Sequence, residues 1–373
     1  MRITVDINHP AHVHYFKHFI REMKKRGHEV LITASKKDIT FRLLESSQLE
    51  FKDVGTYGAS LVSKLVNIPI IDLQYYRTVK TFKPDILLGF GSIRAAHASV
   101  LLRKPCINFE DTEHSTEQIH LYRSFVEAIC TPSCYLQDLG RKQIRFNGYM
   151  ELASLHPNYF TPNPAVLTEL GLTDGDPFII VRFVSWQASH DIGQHGIRDK
   201  IGLVKALERY GRVLITSEGA LPRELQPYQI QLSPEKLHDL LYYATLYVGE
   251  GGTTATEAAV LGTPSIFVSS LAGTMGNFIE LERTYGLLYS LTDDSAALDR
   301  AIEILQDPAS KDNWRIKREQ LLKDKINVIA FMTWFIENYP HSVISIKEHP
   351  EVQYSCASIS SDVPLTQPSP LDS

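Results

Sequence analysis

The segment Leu246 to Val268, LYVGEGGTTATEAAVLGTPSIFV, leaves this chain few folds to choose from. An apolar strand over Leu246 to Val248 runs into glycines, a helix is expected from Thr254 to Leu261, and Gly262-Thr263-Pro264 stops it before a second strand at Ser265 to Val268. Two strands joined through a helix cannot pair as a hairpin, and a right-handed crossover places them side by side in a parallel sheet. The same grammar recurs upstream. Strands at Ile3 to Ile7, Glu29 to Ala34, Asp85 to Leu88, Pro105 to Phe109 and Ala128 to Thr131 alternate with helical spacing such as Phe16, Phe19, Ile20 and Met23, closed by Gly27. It recurs again in Phe178 to Phe183, a helix over Lys200 to Arg209, Arg212 to Thr216, a helix over Leu237 to Ala244, and Leu287 to Tyr289.

At 373 residues the chain exceeds one ordinary core, since domains average ~150 residues. The expectation is an α/β protein of two Rossmann-like, doubly wound domains facing a cleft. The boundaries are 1–157 for the first domain, 158–177 for a Pro- and Gly-rich linker, 178–339 for the second domain with a closing amphipathic helix from Asn313 to Tyr339, and 340–373 for a disordered, Ser- and Pro-rich tail.

Composition excludes several classes. A net charge of −5 gives no general attraction for nucleic acid. The four cysteines form no CxxC pair, which argues against a disulfide or zinc scaffold. No apolar run approaches the ~20 residues that cross a bilayer, and the opening MRITVDINHP has no signal-peptide core. A cytoplasmic location is expected, with peripheral contact with a membrane surface left open.

The glycine turn also has the parts of a phosphate site. Gly251 and Gly252 let backbone approach a ligand, and Thr253 and Thr254 bring hydroxyls and N–H groups to a helix start, whose free donors and positive dipole suit a diphosphate. Glu257, one turn in, can accept from both hydroxyls of a ribose, or can merely favour the helix start. Three further clusters fall at strand ends, the ligand-facing edge of such sheets. Asn8 to His14 holds three histidines, of which His12 suits a general base. Glu110, Asp111, Glu113 and Glu117 gather carboxylates after Phe109, either as acid/base groups or as a solvated loop. Arg182 lies inside the apolar strand FIIVRF and needs a phosphate or carboxylate partner, and Ser185 to Asp191 follows it with Trp186 and His190.

The run GGTTATEAAVLGTP resembles the sugar-nucleotide site of GT-B fold glycosyltransferases, especially the N-acetylglucosaminyltransferase of peptidoglycan synthesis, and is also similar to the UDP-GlcNAc 2-epimerases. With DINHPAHVHYF and WQASHD, residues 1 to 335 resemble a GT-B-like family, domain of unknown function 354. The resemblance implies that Glu257 binds a uridine ribose and that Gly252, Thr253 and Thr254 bind phosphate. It implies that Asn277 and Glu280 hold sugar hydroxyls, by position alone. Ala11-His12-Val13 is similar to the transferase's GHV, with Ala in place of Gly. Glu110 and Glu117 match the paired catalytic glutamates of the epimerases, and His190 their catalytic histidine. The epimerases' Asp is missing from Gly89-Phe90-Gly91-Ser92, which counts against epimerisation. The expected activity is a metal-independent hexosyltransferase with no cofactor beyond its nucleotide-sugar substrate, which the resemblance implies is UDP-linked, acting on an unidentified glycan, lipid or small-molecule acceptor. A 2-epimerase and a nucleotide-sugar-binding protein without catalysis are the alternatives.

Overall fold

A computed structural model of the protein describes residues 1–37, 39–58, 61–185 and 195–359. The first half alternates strand and helix in the predicted manner. In chain order it runs β1 (Arg2–Ile7), α1 (Pro10–Lys25), β2 (Glu29–Ala34), α2 (Thr40–Ser46), β3 (Phe51–Asp53) and α3 (Leu61–Phe82). Then come β4 (Ile86–Phe90), α4 (Ile93–Leu102), β5 (Cys106–Phe109), α5 (Thr116–Tyr122), β6 (Ala128–Pro132), β7 (Gln143–Phe146) and α6 (Leu152–Leu155). Among the described residues these strands form one seven-stranded sheet, ordered β3-β2-β1-β4-β5-β6-β7. Every pairing is parallel. The order reverses between β1 and β4, and the crevice outside their carboxyl ends is where such sheets take ligands.

The second half holds α7 (Ala165–Glu169), β8 (Phe178–Phe183), α8 (Lys200–Leu207), β9 (Arg212–Ser217), α9 (Leu237–Tyr243), β10 (Leu246–Gly249) and α10 (Gly252–Leu261). It continues with β11 (Ser265–Val268), α11 (Gly276–Arg283), β12 (Leu288–Leu291), α12 (Asp294–Gln306) and α13 (Ser310–Asp324). Its parallel sheet has the order β12-β11-β10-β8-β9, with the reversal between β8 and β10. Two doubly wound sheets facing each other make this a GT-B fold.

Three boundaries read from sequence need correction. The expected linker contains α7, whose Val166 and Leu167 are buried against the second domain, so Pro and Gly there mark turns rather than free chain. The single closing helix is two, because Lys325 to Asn327 leave the helix and Asn327 caps the next one. That next helix, α14 (Val328–Glu337), is buried from Val328 through Ile336 and returns to the first domain. Phe331 stacks on Phe146 of β7 at 5.4 Å, and Glu337 pairs with Arg26 and His28, each at 3.0 Å. The tail expected to be disordered from 340 forms α15 (His341–Glu348) and α16 (Val352–Ile359), which cover α14. A helix apolar on every side must be covered.

Candidate functional site

The second-domain crevice is built around Gly249 to Glu257. A Cβ on Gly249 would stand 2.5 Å from the Tyr247 hydroxyl and 2.9 Å from the Arg182 carbonyl, and one on Gly251 would meet Arg182 Nε at 3.1 Å. Only glycine lets β10 turn so close beside β8. Gly251 is the N-cap in an extended conformation with no side-chain cap. Helix α10 starts at Gly252, two residues before the sequence indicated, so the N–H groups of Gly252, Thr253 and Thr254 have no acceptor within the helix. Thr253 is exposed and Thr254 buried. Gly262 ends the helix at φ +83°, as the Gly-Thr-Pro stop required.

Arg182, half-buried at the end of β8, pairs with a carboxylate. It donates to Glu218 Oε1 at 2.9 Å while its stem passes beside Gly251. Glu250 is buried and accepts from the backbone N–H groups of Val184 and Ile197 at 2.9 and 2.8 Å. Glu257 is 6% exposed, and its Oε1 lies 2.9 Å from Nε2 of His238 on α9. Asn277, in the first turn of α11, uses its side-chain oxygen to accept from the Phe278 N–H. His190 and Trp186 lie outside the described residues.

In the first domain, the histidine-rich segment is not a loop. Helix α1 begins at Pro10, with His9 as its N-cap accepting from the Ala11 N–H, so His12 and His14 occupy its first turns. Proline suits that first position, where its missing N–H would be unpaired anyway. His12 is buried at the β1/β4 switch point, 4.8 Å from the Phe90 ring, and its Nδ1 has no partner. Burial, reinforced by His9, Lys37 and Arg94, holds its pKa well below the usual imidazole value. His12 is therefore a neutral ring, a poor resting place for a proton.

The carboxylates divide by orientation. Glu110 is buried and accepts from the N–H groups of Asp111 and Thr112 and from the Tyr122 hydroxyl at 2.9 Å. Burial, then Asp111, pushes its pKa up to about 8. Burial also raises Asp111, and raises Glu151 well above the carboxyl range, with Asp111 and Glu257 adding to the latter. Buried Tyr15 feels Asp111, Glu151, Glu257 and Glu110 together. These groups therefore share one polar region between the two sheets. Glu117 does not join them: it is exposed on α5, as a first-turn acid commonly is, so its expected pairing with Glu110 is corrected.

Other residues hold the domains together. Glu113 accepts from the Gly276 N–H at 2.9 Å across the cleft, and His114 Nε2 meets Thr274 Oγ1 at 2.9 Å. Glu280, expected to hold sugar hydroxyls, instead accepts from Lys325 Nζ at 2.8 Å through both oxygens and from the Tyr149 hydroxyl. It is an interdomain strut, because the almost fully buried Lys325 ammonium requires a counter-ion. Tyr15, Glu151 and His238 were missed by sequence. Each is a single residue on an unremarkable helix or turn, and only the fold gathers them. Among the described residues, no three His, Cys, Asp or Glu side chains are grouped to hold a metal.

Residues 1–330 match the family model described as "Protein of unknown function (DUF354)". The chain belongs to this family. It is 26% identical over 299 residues to an uncharacterized protein of Methanocaldococcus jannaschii, covering 75% of this chain and 86% of the relative. It is 23% identical over 286 residues to the UDP-N-acetylglucosamine–N-acetylmuramyl-(pentapeptide) pyrophosphoryl-undecaprenol N-acetylglucosamine transferase of Pediococcus pentosaceus, covering 70% and 76%. Among solved structures, a putative UDP-N-acetylglucosamine 2-epimerase from Listeria monocytogenes superposes with TM-score 0.65 at 13% identity, covering 91% of this chain and 96% of that one. The spinosyn rhamnosyltransferase SpnG, complexed with spinosyn aglycone, gives 0.59 at 14%, covering 91% and 100%. At these identities the DUF354 protein shares the neighbours' fold, and its chemistry must come from its own residues.

Proposed function

We propose that this DUF354 protein takes a nucleotide sugar, UDP-linked by first choice, and transfers its glycosyl group to an acceptor hydroxyl without a metal. The observation that carries this reading is the uncapped N-terminus of α10 at the β8/β10 switch point, on a helix whose Glu257 acts on Tyr15 together with Asp111, Glu151 and Glu110. The N–H groups of Gly252, Thr253 and Thr254 would hold the diphosphate, and Glu257 the ribose. As the bond between the anomeric carbon and the diphosphate oxygen breaks, those donors and the helix dipole would stabilise the charge left on the diphosphate. The acceptor oxygen forms the new bond, and its proton passes to Asp111 or Glu110. A raised pKa makes either ionised carboxylate a stronger base than an exposed one. The neutral, desolvated His12 suits lining the acceptor side better than accepting that proton.

A second reading, 2-epimerisation, draws support from three carboxyls of raised pKa, buried Glu110 and Glu151 and half-buried Asp111, since removing and returning a sugar proton needs paired acid/base groups. Incubation with UDP-GlcNAc separates the readings. UDP released only with an acceptor supports transfer, a C2-inverted sugar supports epimerisation, and binding without either product overturns both. Glycan, lipid and small-molecule acceptors all belong in the assay.

A further inference from the structure

Glu257 is not an unoccupied carboxylate. Its Oε1 is 2.9 Å from His238 Nε2, and both residues are 6% exposed. An ionised carboxylate only accepts, so in this pair Nε2 carries the proton and donates. Glu257 Oε2 has no hydrogen-bond partner among the described residues and is not sealed from solvent. The His238 ring is itself boxed in. The ring of His14, from the first domain, meets it edge-on with centroids 4.5 Å apart, and Phe160 packs at 6.3 Å and 86°. Its rotamer is fixed by neighbours on two sides.

We infer that His238 is a positioning residue that occupies one oxygen of Glu257 and leaves the other to contact a single hydroxyl of the nucleotide ribose. The inference rests on the proposed ribose role of Glu257 and sharpens it from a two-hydroxyl clamp to a one-hydroxyl reader. The boxed ring prevents the carboxylate from turning to engage both hydroxyls, so specificity at this position belongs to the pair. Because His14 forms one wall of the box, the reader is complete only when the two domains are apposed.

The test compares binding of a ribonucleoside diphosphate with its 2′-deoxy and 3′-deoxy forms by isothermal titration, using whichever of UDP, ADP, GDP and CDP binds tightest. In the unmodified protein one deoxy form should bind like the parent, and the other should lose roughly tenfold or more, the scale of a hydrogen bond to a charged group. His238→Phe keeps a ring between His14 and Phe160 but removes the donor, and should collapse this asymmetry to within about threefold. His238→Gln, whose amide can donate, should restore it. Equal losses for both deoxy forms in the unmodified protein, or an asymmetry that survives in His238→Phe, would overturn the inference while leaving Glu257 a ribose ligand. Affinity unchanged in Glu257→Ala, or no binding of any of the four nucleotides, would overturn the ribose assignment and this inference with it.

Discussion

Replacing Glu110 with glutamine should stabilise the protein increasingly as pH rises while damaging its chemistry. Glu110 is 2% exposed, and burial lifts its carboxyl from 4.5 to about 8. A carboxyl raised on folding holds its proton more tightly in the native state. Its contribution is therefore most favourable below 4.5 and is lost as pH rises through 8. Linkage between those two values makes the group cost the fold about 1 kcal/mol at about pH 5.5, about 3 at pH 7 and about 5 at pH 9. Glutamine has nearly the same shape. Its oxygen can still accept from the Asp111 and Thr112 N–H groups, and the Tyr122 hydroxyl, which now donates to Oε2, can turn to accept from the amide. Urea denaturation at the three pH values should show the E110Q advantage growing by roughly 3–4 kcal/mol from the lowest to the highest. A variant equally destabilised at every pH would refute the argument, since Glu110 would then be an ordinary hydrogen-bonded carboxylate. Such a gain in stability with loss of function is expected where a site holds groups the fold would not otherwise bury.

Other perturbations test other parts of the structure. Asp6→Asn should cost ~3–5 kcal/mol in urea denaturation, because Asp6 and Arg94 are both fully buried and the Arg94 guanidinium, 2.8 Å from Asp6 Oδ1, would lose its counter-ion; replacing both by Leu and Met should cost less than the single change. Gly276→Ala should separate the domains, since its Cβ would stand 1.8 Å from the Cys134 carbonyl oxygen; faster proteolysis between the domains and a stability loss of ~1–3 kcal/mol would report it. Glu117→Gln should change stability by less than ~0.5 kcal/mol and leave nucleotide affinity intact, as befits an exposed helix residue.

The sheet edges were legible in the sequence because strand ends carry punctuation. Gly262 in the stop after α10 and the parallel strands on either side of it are written in local glycines and apolar runs. Pairing across the cleft was not legible. Glu110 and Glu117 read as two carboxylates seven residues apart, and only the fold turns the one after β5 inward and leaves the one on α5 in solvent. Glu280 looked like a ligand because it follows the strand after Glu257, yet its partners Lys325 and Tyr149 lie 45 and 131 residues away in sequence. His238 carried no signal either, since its meaning comes from Glu257, 19 residues later, and from His14 on the other domain. Long-range contacts of this kind arise from topology, which local periodicity does not encode.

The return of α14 to the first domain has a consequence for how the chain is made. Phe146 and the flank of α1 receive their cover from Phe331 and its neighbours, which leave the ribosome only after the whole second domain. Until then the first domain presents a bare apolar face to solvent or to whatever chaperone meets it. A gene fragment ending near residue 157 should therefore give an aggregating product, whereas the same fragment joined by a short linker to residues 328–359 should give a soluble one. The second domain is, in effect, an insertion carried between two parts of the first.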